Sequence, residues 1–302
     1  MRLTIFKNLD SATTKEGIKF MLIASLLFSF MGAFAKILSS TLPSIEVVFF
    51  RNVFGVIIIM YSFYKTPIIE LGGRPFLLFL RGMMGFLALM LFFYNIANIP
   101  LAEAMTFSKI SPIFTAIFAF LILKEKLSYQ AWIGVFVGFI GVLFITKFDG
   151  STLDKTDYLG ILSGVGAALA YTSIRELKNY YNTKTIAFSF MLVGTISPLI
   201  LMFSAEFYSP KNLDFMFSKF IVPEINDIIF IVLLGVFSTY AQIYMTKAYS
   251  STKAGIIGTI SYLGIVFSII VGLFLGDSFP DIFIISGIIL IITSGILVAR
   301  NS

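Results

Sequence analysis

The stretch RGMMGFLALMLFFYNIANIPLAEAMTFSKISPIFTAIFAFLILKEKLS, residues 81–128, decides the fold. Two long apolar runs are parted only by Asn98-Ile99-Pro100 and closed by the charged turn Lys124-Glu125-Lys126. A helix needs roughly 20 residues to cross a hydrocarbon core of ~30 Å, so each run is long enough to span a bilayer. Neither alternates polar and apolar residues as the strands of a membrane barrel do. The spans are therefore helical.

The same pattern continues in both directions and predicts spans at 17–38, 44–64, 75–96, 101–123, 129–147, 158–175, 185–206, 226–247, 254–275 and 280–299. Composition agrees: the 302 residues are 58% hydrophobic and 13% charged, against roughly half and a quarter in soluble domains, and the mean hydropathy is +0.96. The fold class expected is an all-α membrane protein of about ten transmembrane helices. The first apolar run is too long for a signal-peptide core and has no cleavage pattern behind it, so it is expected to stay as helix one.

Histidine and cysteine are absent. That excludes disulfides, thiol chemistry and zinc sites of the His or Cys type, and removes the usual near-neutral proton shuttle; no cofactor or metal is expected. The net charge of +6 is dispersed between apolar segments rather than gathered on one motif, which argues against a nucleic-acid partner. The cations report topology instead, because positive loops stay cytoplasmic. Fourteen of the 22 Lys and Arg residues fall on one side, and only Lys147, Lys155, Lys211 and Lys219 on the other. Both termini are expected on the cytoplasmic side of an inner (plasma) membrane, with the lipid bilayer and a small-molecule substrate as partners and a monomer or homodimer as the unit.

The chain also repeats itself. At an offset of 150 residues Gly85 matches Gly235, Tyr94 matches Tyr244, Ala104 matches Ala254, Ile110 matches Ile260 and Ser111 matches Ser261. Glu125 and Asp277 occupy the same turn of each half, and Gly134, Gly138 and Gly141 face a similar series, Gly287 and Gly295, in the last span. The halves expected are 1–150, helices one to five, and 151–302, helices six to ten. Five is odd, so the second half begins on the opposite face and runs inverted. Inverted repeats place a substrate site near the membrane midplane, where rocking of the halves exposes it to each side in turn.

These residues resemble a known family. Arg81-Gly82, Tyr94, Leu101-Ala102-Glu103-Ala104, Ser111-Pro112-Ile113-Phe114 and Leu123-Lys124-Glu125-Lys126-Leu127 are similar to the first EamA repeat of the drug/metabolite transporter superfamily. Ala248-Tyr249-Ser250 to Ala254 and Phe274-Leu275-Gly276-Asp277 resemble the second, with Tyr262 where the first copy has Pro112 and Asp277 where Glu is usual. The resemblance implies a ten-helix secondary transporter with a central cavity, in a family whose cargo spans amino acids, nucleotide-like metabolites and riboflavin.

Four cations lie inside spans: Lys36, Arg51, Arg81 and Lys109. A charge there costs about 2.5 to 17 kcal/mol, depending on the method, and by default faces a cavity or a partner. Arg51 lies roughly 10 Å into helix two at 1.5 Å per residue, and Lys109 enters helix four from the same side to a similar depth. Both are expected to line the cavity and hold a carboxylate or phosphate; the competing role is an ion pair with Glu46 or Glu103. Arg81 and Lys36 lie nearer span ends, where snorkelling to the headgroups is expected. Tyr94, Ser111, Tyr244 and Tyr262, which the repeat register pairs, are further substrate-binding candidates together with Asn95. Pro112 removes a backbone hydrogen bond and predicts a kink beside Lys109. Glu103 suits a helix N-terminus, and the spacing of Gly134/Gly138 and Gly160/Gly164 suits close helix contact.

The function expected is secondary transport of a small organic metabolite, anionic or zwitterionic, such as an amino-acid or nucleoside-like compound, by alternating access. The alternative is an integral-membrane enzyme acting on a lipid or prenyl substrate, which would need clustered Asp or a His, Cys or Ser constellation. A channel would show a repeated polar filter or ring. Neither pattern is visible in the spans, so a transporter and not an enzyme is the reading. The topology is checked by single cysteines introduced into this cysteine-free chain: Asn212→Cys should react with an impermeant thiol reagent only from outside, and Asn8→Cys only from the cytoplasm. The reverse pattern would overturn the orientation.

Overall fold

A computed structural model of the chain describes residues 2–66, 70, 72–124, 128–145, 154–251, 253–276 and 279–300. Twelve helices are found among them: α1 (Arg2–Leu38), α2 (Ser44–Lys65), α3 (Pro75–Asn98), α4 (Leu101–Ser108), α5 (Ser111–Leu121), α6 (Tyr129–Ile145), α7 (Lys155–Leu177), α8 (Thr183–Ser204), α9 (Ile225–Ser251), α10 (Ala254–Ile260), α11 (Leu263–Phe274) and α12 (Ile282–Arg300). Joined across their breaks, α4–α5 and α10–α11 each make one crossing, giving ten spans in two inverted sets of five. Five segments have the length and apolarity to cross alone, Lys15–Leu38, Ser44–Lys65, Pro75–Asn98, Thr183–Ser204 and Ile225–Ser251. The proposed division at residue 150, and the turn residues Glu125 and Asp277, lie outside the described residues.

The packing follows the two sets. α1 lies along α9 and its counterpart α7 lies along α3; α2 packs on α8 and α6 on α12; α11 rests on α1 as α5 rests on α7. Exchanging the halves turns each of these pairings into itself or into another on the page. Small residues permit the approach. A Cβ on Gly160 would stand 2.5 Å from the Phe107 ring, one on Gly164 2.9 Å from Ile110, and one on Gly141 2.8 Å from the backbone carbonyl of Gly287. The glycine series thus serves close contact, as its spacing suggests.

Hydrocarbon offers no partner to polar groups, so hydroxyls buried between the helices commonly bond to carbonyls three or four residues back or across a helix contact. Thr239 Oγ1 donates to Gly235 O at 2.6 Å and Ser268 Oγ to Gly264 O at 2.7 Å. Ser163 Oγ crosses from α7 to Ala88 O on α3 at 2.8 Å, and Ser29 on α1 meets Ser268 on α11 at 3.0 Å.

Two of the spans predicted as continuous are broken. The first break was signalled by Pro112, whose ring cannot pass the Ser108 carbonyl of a regular helix; that carbonyl instead accepts from Ser111 Oγ at 2.7 Å. The second, between α10 and α11, has no proline. Ser261 Oγ bonds to Gly258 O at 2.6 Å, the same side-chain-to-carbonyl contact 150 residues later. The broken spans cross closely, for a Cβ on Gly258 would lie 3.1 Å from Pro112 Cβ.

Residues 205–224, between α8 and α9, form the longest described connection and contain a 3₁₀ turn at Lys211–Leu213. It is pinned at both ends of its path. Asp214 accepts from Tyr94 Oη at 3.0 Å and pairs with Lys155 at the start of α7. Ile221 N donates to Glu46 Oε2 at 2.9 Å on α2.

Gly141→Ala should lower stability by about 1–3 kcal/mol, the usual cost of overpacking, because the atom it meets is backbone that cannot turn away. Gly166→Ala, whose nearest contact would be 3.3 Å from Ala88 Cβ, should be far milder. Thermal unfolding of the two purified variants makes the comparison.

Candidate functional site

A cavity of about 100 Å³ lies where the two halves meet, with walls from α1, α2, α3, α7, α8 and α9 and from both broken spans. At 10–15 Å³ per water site it holds a handful of waters and must widen to take a metabolite. Arg51 of α2, Arg81 of α3 and Lys109 at the α4–α5 break all line it. No Asp or Glu does, among the described residues.

Arg51 and Arg81 are each 1% exposed. Their guanidinium carbons lie 5.2 and 4.8 Å from the centroid of the Phe190 ring on α8, a contact worth up to about 2 kcal/mol when desolvated. Arg51 Nη1 also donates to Asn52 Oδ1 at 2.8 Å, and Asn52 in turn bonds to Gly194 O of α8 at 3.2 Å. Nε of both arginines has no hydrogen-bond partner, nor has Ser25 Oγ on the α1 wall. Ion pairs between described residues include Arg74–Glu176, Lys155–Asp214 and Lys219–Glu206, and Arg51 Nη1 is engaged by Asn52. The pairing of Arg51 with Glu46 is therefore not made; Glu46 holds the Ile221 backbone instead.

Arg81 corrects the expectation of snorkelling. Its face of α3 carries Gly85 and Ala88, so the side chain turns inward over small residues rather than along the helix to the headgroups. It also lines a second hollow of about 480 Å³, walled by α3, α7 and the end of α5, where Arg74 and Glu176 stand 3.9 Å apart. Arg81 thus borders both spaces. Lys36, the other expected snorkeller, donates to Ile99 O at 2.7 Å.

Of the sequence-predicted site residues, Lys109, Arg51 and Ser111 come together in the cavity. The others lie elsewhere. Tyr94 stands at the rim against Asp214. Tyr244 packs 5.8 Å from Phe20, with Lys247 Nζ 5.6 Å from both rings. Asn95 is enclosed in the α3–α7 contact, donating to Thr156 O at 2.9 Å. Tyr262 is buried with Phe107, Ile113, Ile265 and Ile291 in a cluster drawn from both broken spans and from α6 and α12. Ser25, Ser163 and Tyr249 line the cavity and were not singled out. Tyr249 stacks on Tyr171 at 5.0 Å and 21°.

The pattern of the EamA-like transporter family matches residues 15–147 and again 154–300. The chain is 35% identical over 288 residues to an uncharacterized transporter of Helicobacter pylori, covering 94% of each. It is 34% identical to the pseudopaline exporter CntI of Pseudomonas aeruginosa, covering 95% of this chain and 97% of that one. It is 26% identical to the S-adenosylmethionine uptake transporter of Rickettsia prowazekii, over 95% and 93%. A solved crystal structure shares the fold with a TM-score of 0.67 at 16% identity, over 95% and 96% of the two chains.

A buried cation without a counter-charge weakens the fold it sits in. Arg81→Met should therefore raise the thermal stability of the ligand-free protein by about 1–3 kcal/mol, the usual penalty of an unsatisfied buried donor. An arginine held in a structural pair would give the opposite sign in the same unfolding measurement.

Proposed function

This chain belongs to the EamA-like transporter family and carries a small molecule across a membrane, and from that premise we propose that its cargo is an anionic or zwitterionic organic metabolite taken through the central cavity by alternating access. The observation that supports this most is the cavity's charge: Arg51, Arg81 and Lys109 enter it and no carboxylate does, among the described residues. Such a site repels cations and is relieved by a carboxylate or phosphate from the cargo. The two breaks supply the moving parts in this reading. Ser111 and Ser261 stand at equivalent turns and both line the cavity, so bending at either turn reshapes the site.

The family relatives are described as an exporter in one case and an uptake transporter in another, so direction is set by the individual protein rather than by the fold. Their cargoes are organic metabolites, which supports the same class here. The cytoplasmic placement of both termini in a plasma membrane remains part of the proposal and rests on the loop charges.

Lys109→Met keeps the apolar stem and removes the charge. In proteoliposomes, uptake of an anionic substrate identified by a thermal-shift screen should show an apparent KM raised about 10- to 100-fold, the size of a charge-assisted bond of about 1.5–3 kcal/mol. Unchanged affinity in a folded variant would make Lys109 structural and defeat the charge-recognition reading.

A further inference from the structure

Resting on that reading of the cavity, we infer that the cargo carries two separate anionic groups, one held by Arg51 and Arg81 and the other by Lys109. A dicarboxylate-type dianion or a larger polycarboxylate fits; a simple monoanion does not.

The three cations form two poles. Arg51 and Arg81 meet at the Phe190 ring of α8, 5.2 and 4.8 Å from its centroid. Lys109 lies against α11 instead: its Nζ is 3.3 Å from the point where a Cβ of Gly264 would stand, and Ser25 Cβ is 3.5 Å from the same point. α8 packs on α2, α3 and α9, whereas α11 packs on α1 and α4. The poles thus belong to separate walls of one cavity.

Each pole also offers an uncommitted donor. Nε of Arg51 and of Arg81 are unpartnered at one, and Ser25 Oγ is unpartnered at the other. The neighbouring hydroxyls of Ser108 and Ser111 are already spent on the carbonyls of Met105 and Ser108, at 2.6 and 2.7 Å. The free donors therefore mark where acceptors are missing, and they are missing at both ends. A lone carboxylate on the arginines leaves Lys109 uncompensated. A lone carboxylate on Lys109 leaves two guanidiniums buried without a counter-charge, the arrangement that low-dielectric surroundings penalise most. Only a ligand with an acceptor at each end relieves both walls at once.

The test titrates the purified full-length protein with aliphatic dicarboxylates from succinate to suberate and with the monomethyl ester of each, following thermal unfolding. At least one diacid should bind tenfold or more tightly than its own monoester, and the best chain length reports the span between poles. Lys109→Met, with Lys109→Gln as a second replacement, should bring that ratio close to one. Lys109→Arg should restore it. Equal binding of diacid and monoester by the parent protein, stabilisation by no diacid, or an unchanged ratio in a folded Lys109 variant would each overturn the two-pole inference. Monoanions that bind in an arginine-dependent way while diacids gain nothing would defeat this inference and leave the anionic-cargo reading standing. A failure of every anion would defeat both.

Discussion

An unpartnered backbone carbonyl in hydrocarbon costs several kcal/mol, and both mid-membrane breaks of this chain meet that constraint in the same way. Ser111 closes onto Ser108 O and Ser261 onto Gly258 O, at 2.7 and 2.6 Å. The hydroxyl replaces a rung of the helix ladder without calling on water. That substitution lets two helices stop in mid-membrane, and stopping there is what frees Lys109 and Ser261 to face the cavity. The crossing of Gly258 with Pro112 then joins the two turns at one place.

Around the breaks the packing is tight wherever glycine permits, and it opens at the central cavity and at the hollow beside α3 and α7. Gly160 and Gly164 seat α7 against α4 and α5, and Gly85 makes room for both Arg81 and Phe190. The central space is about 100 Å³, and the fold fills its edge with two guanidiniums over one ring. Stability and function pull in opposite directions there. The arginines are held there by close helix packing: Gly55 and Gly82 bring α2 and α3 against Met191 and Val193 of α8, and Gly194 of α8 meets Asn52 of α2.

Much of the architecture was legible because a bilayer imposes a length on every span. The 150-residue offset likewise located real equivalents: Ser111 and Ser261 make matching bonds. Pro112 announced its break, but Ser261 and Gly258 are too common in membrane helices to announce theirs. The site was harder to see. Counting residues from a span end gives depth but not direction, which is why Lys109 and Arg51 were placed well and Arg81 was not; its direction is written in Gly85 and Ala88. Repeat equivalence says two positions correspond, not that either faces inward. Tyr94 meets Asp214 while Tyr244 packs on Phe20, and the partner of Tyr94 lies 120 residues away, beyond the reach of any local pattern.

A cavity lined by three cations and, among the described residues, by no acid has an electrical consequence. Arg51 and Arg81 sit on helices of the packed scaffold rather than on anything that crosses with the cargo, so their charge stays in the protein frame. An anion that moves between the two faces then carries its full valence across the membrane field. At about 2.3 kcal/mol per charge for each 100 mV, an inside-negative membrane drives a dianion outward with roughly twice the force it exerts on a monoanion, before any coupled ion is considered. Inward movement of the same cargo has to work against that voltage.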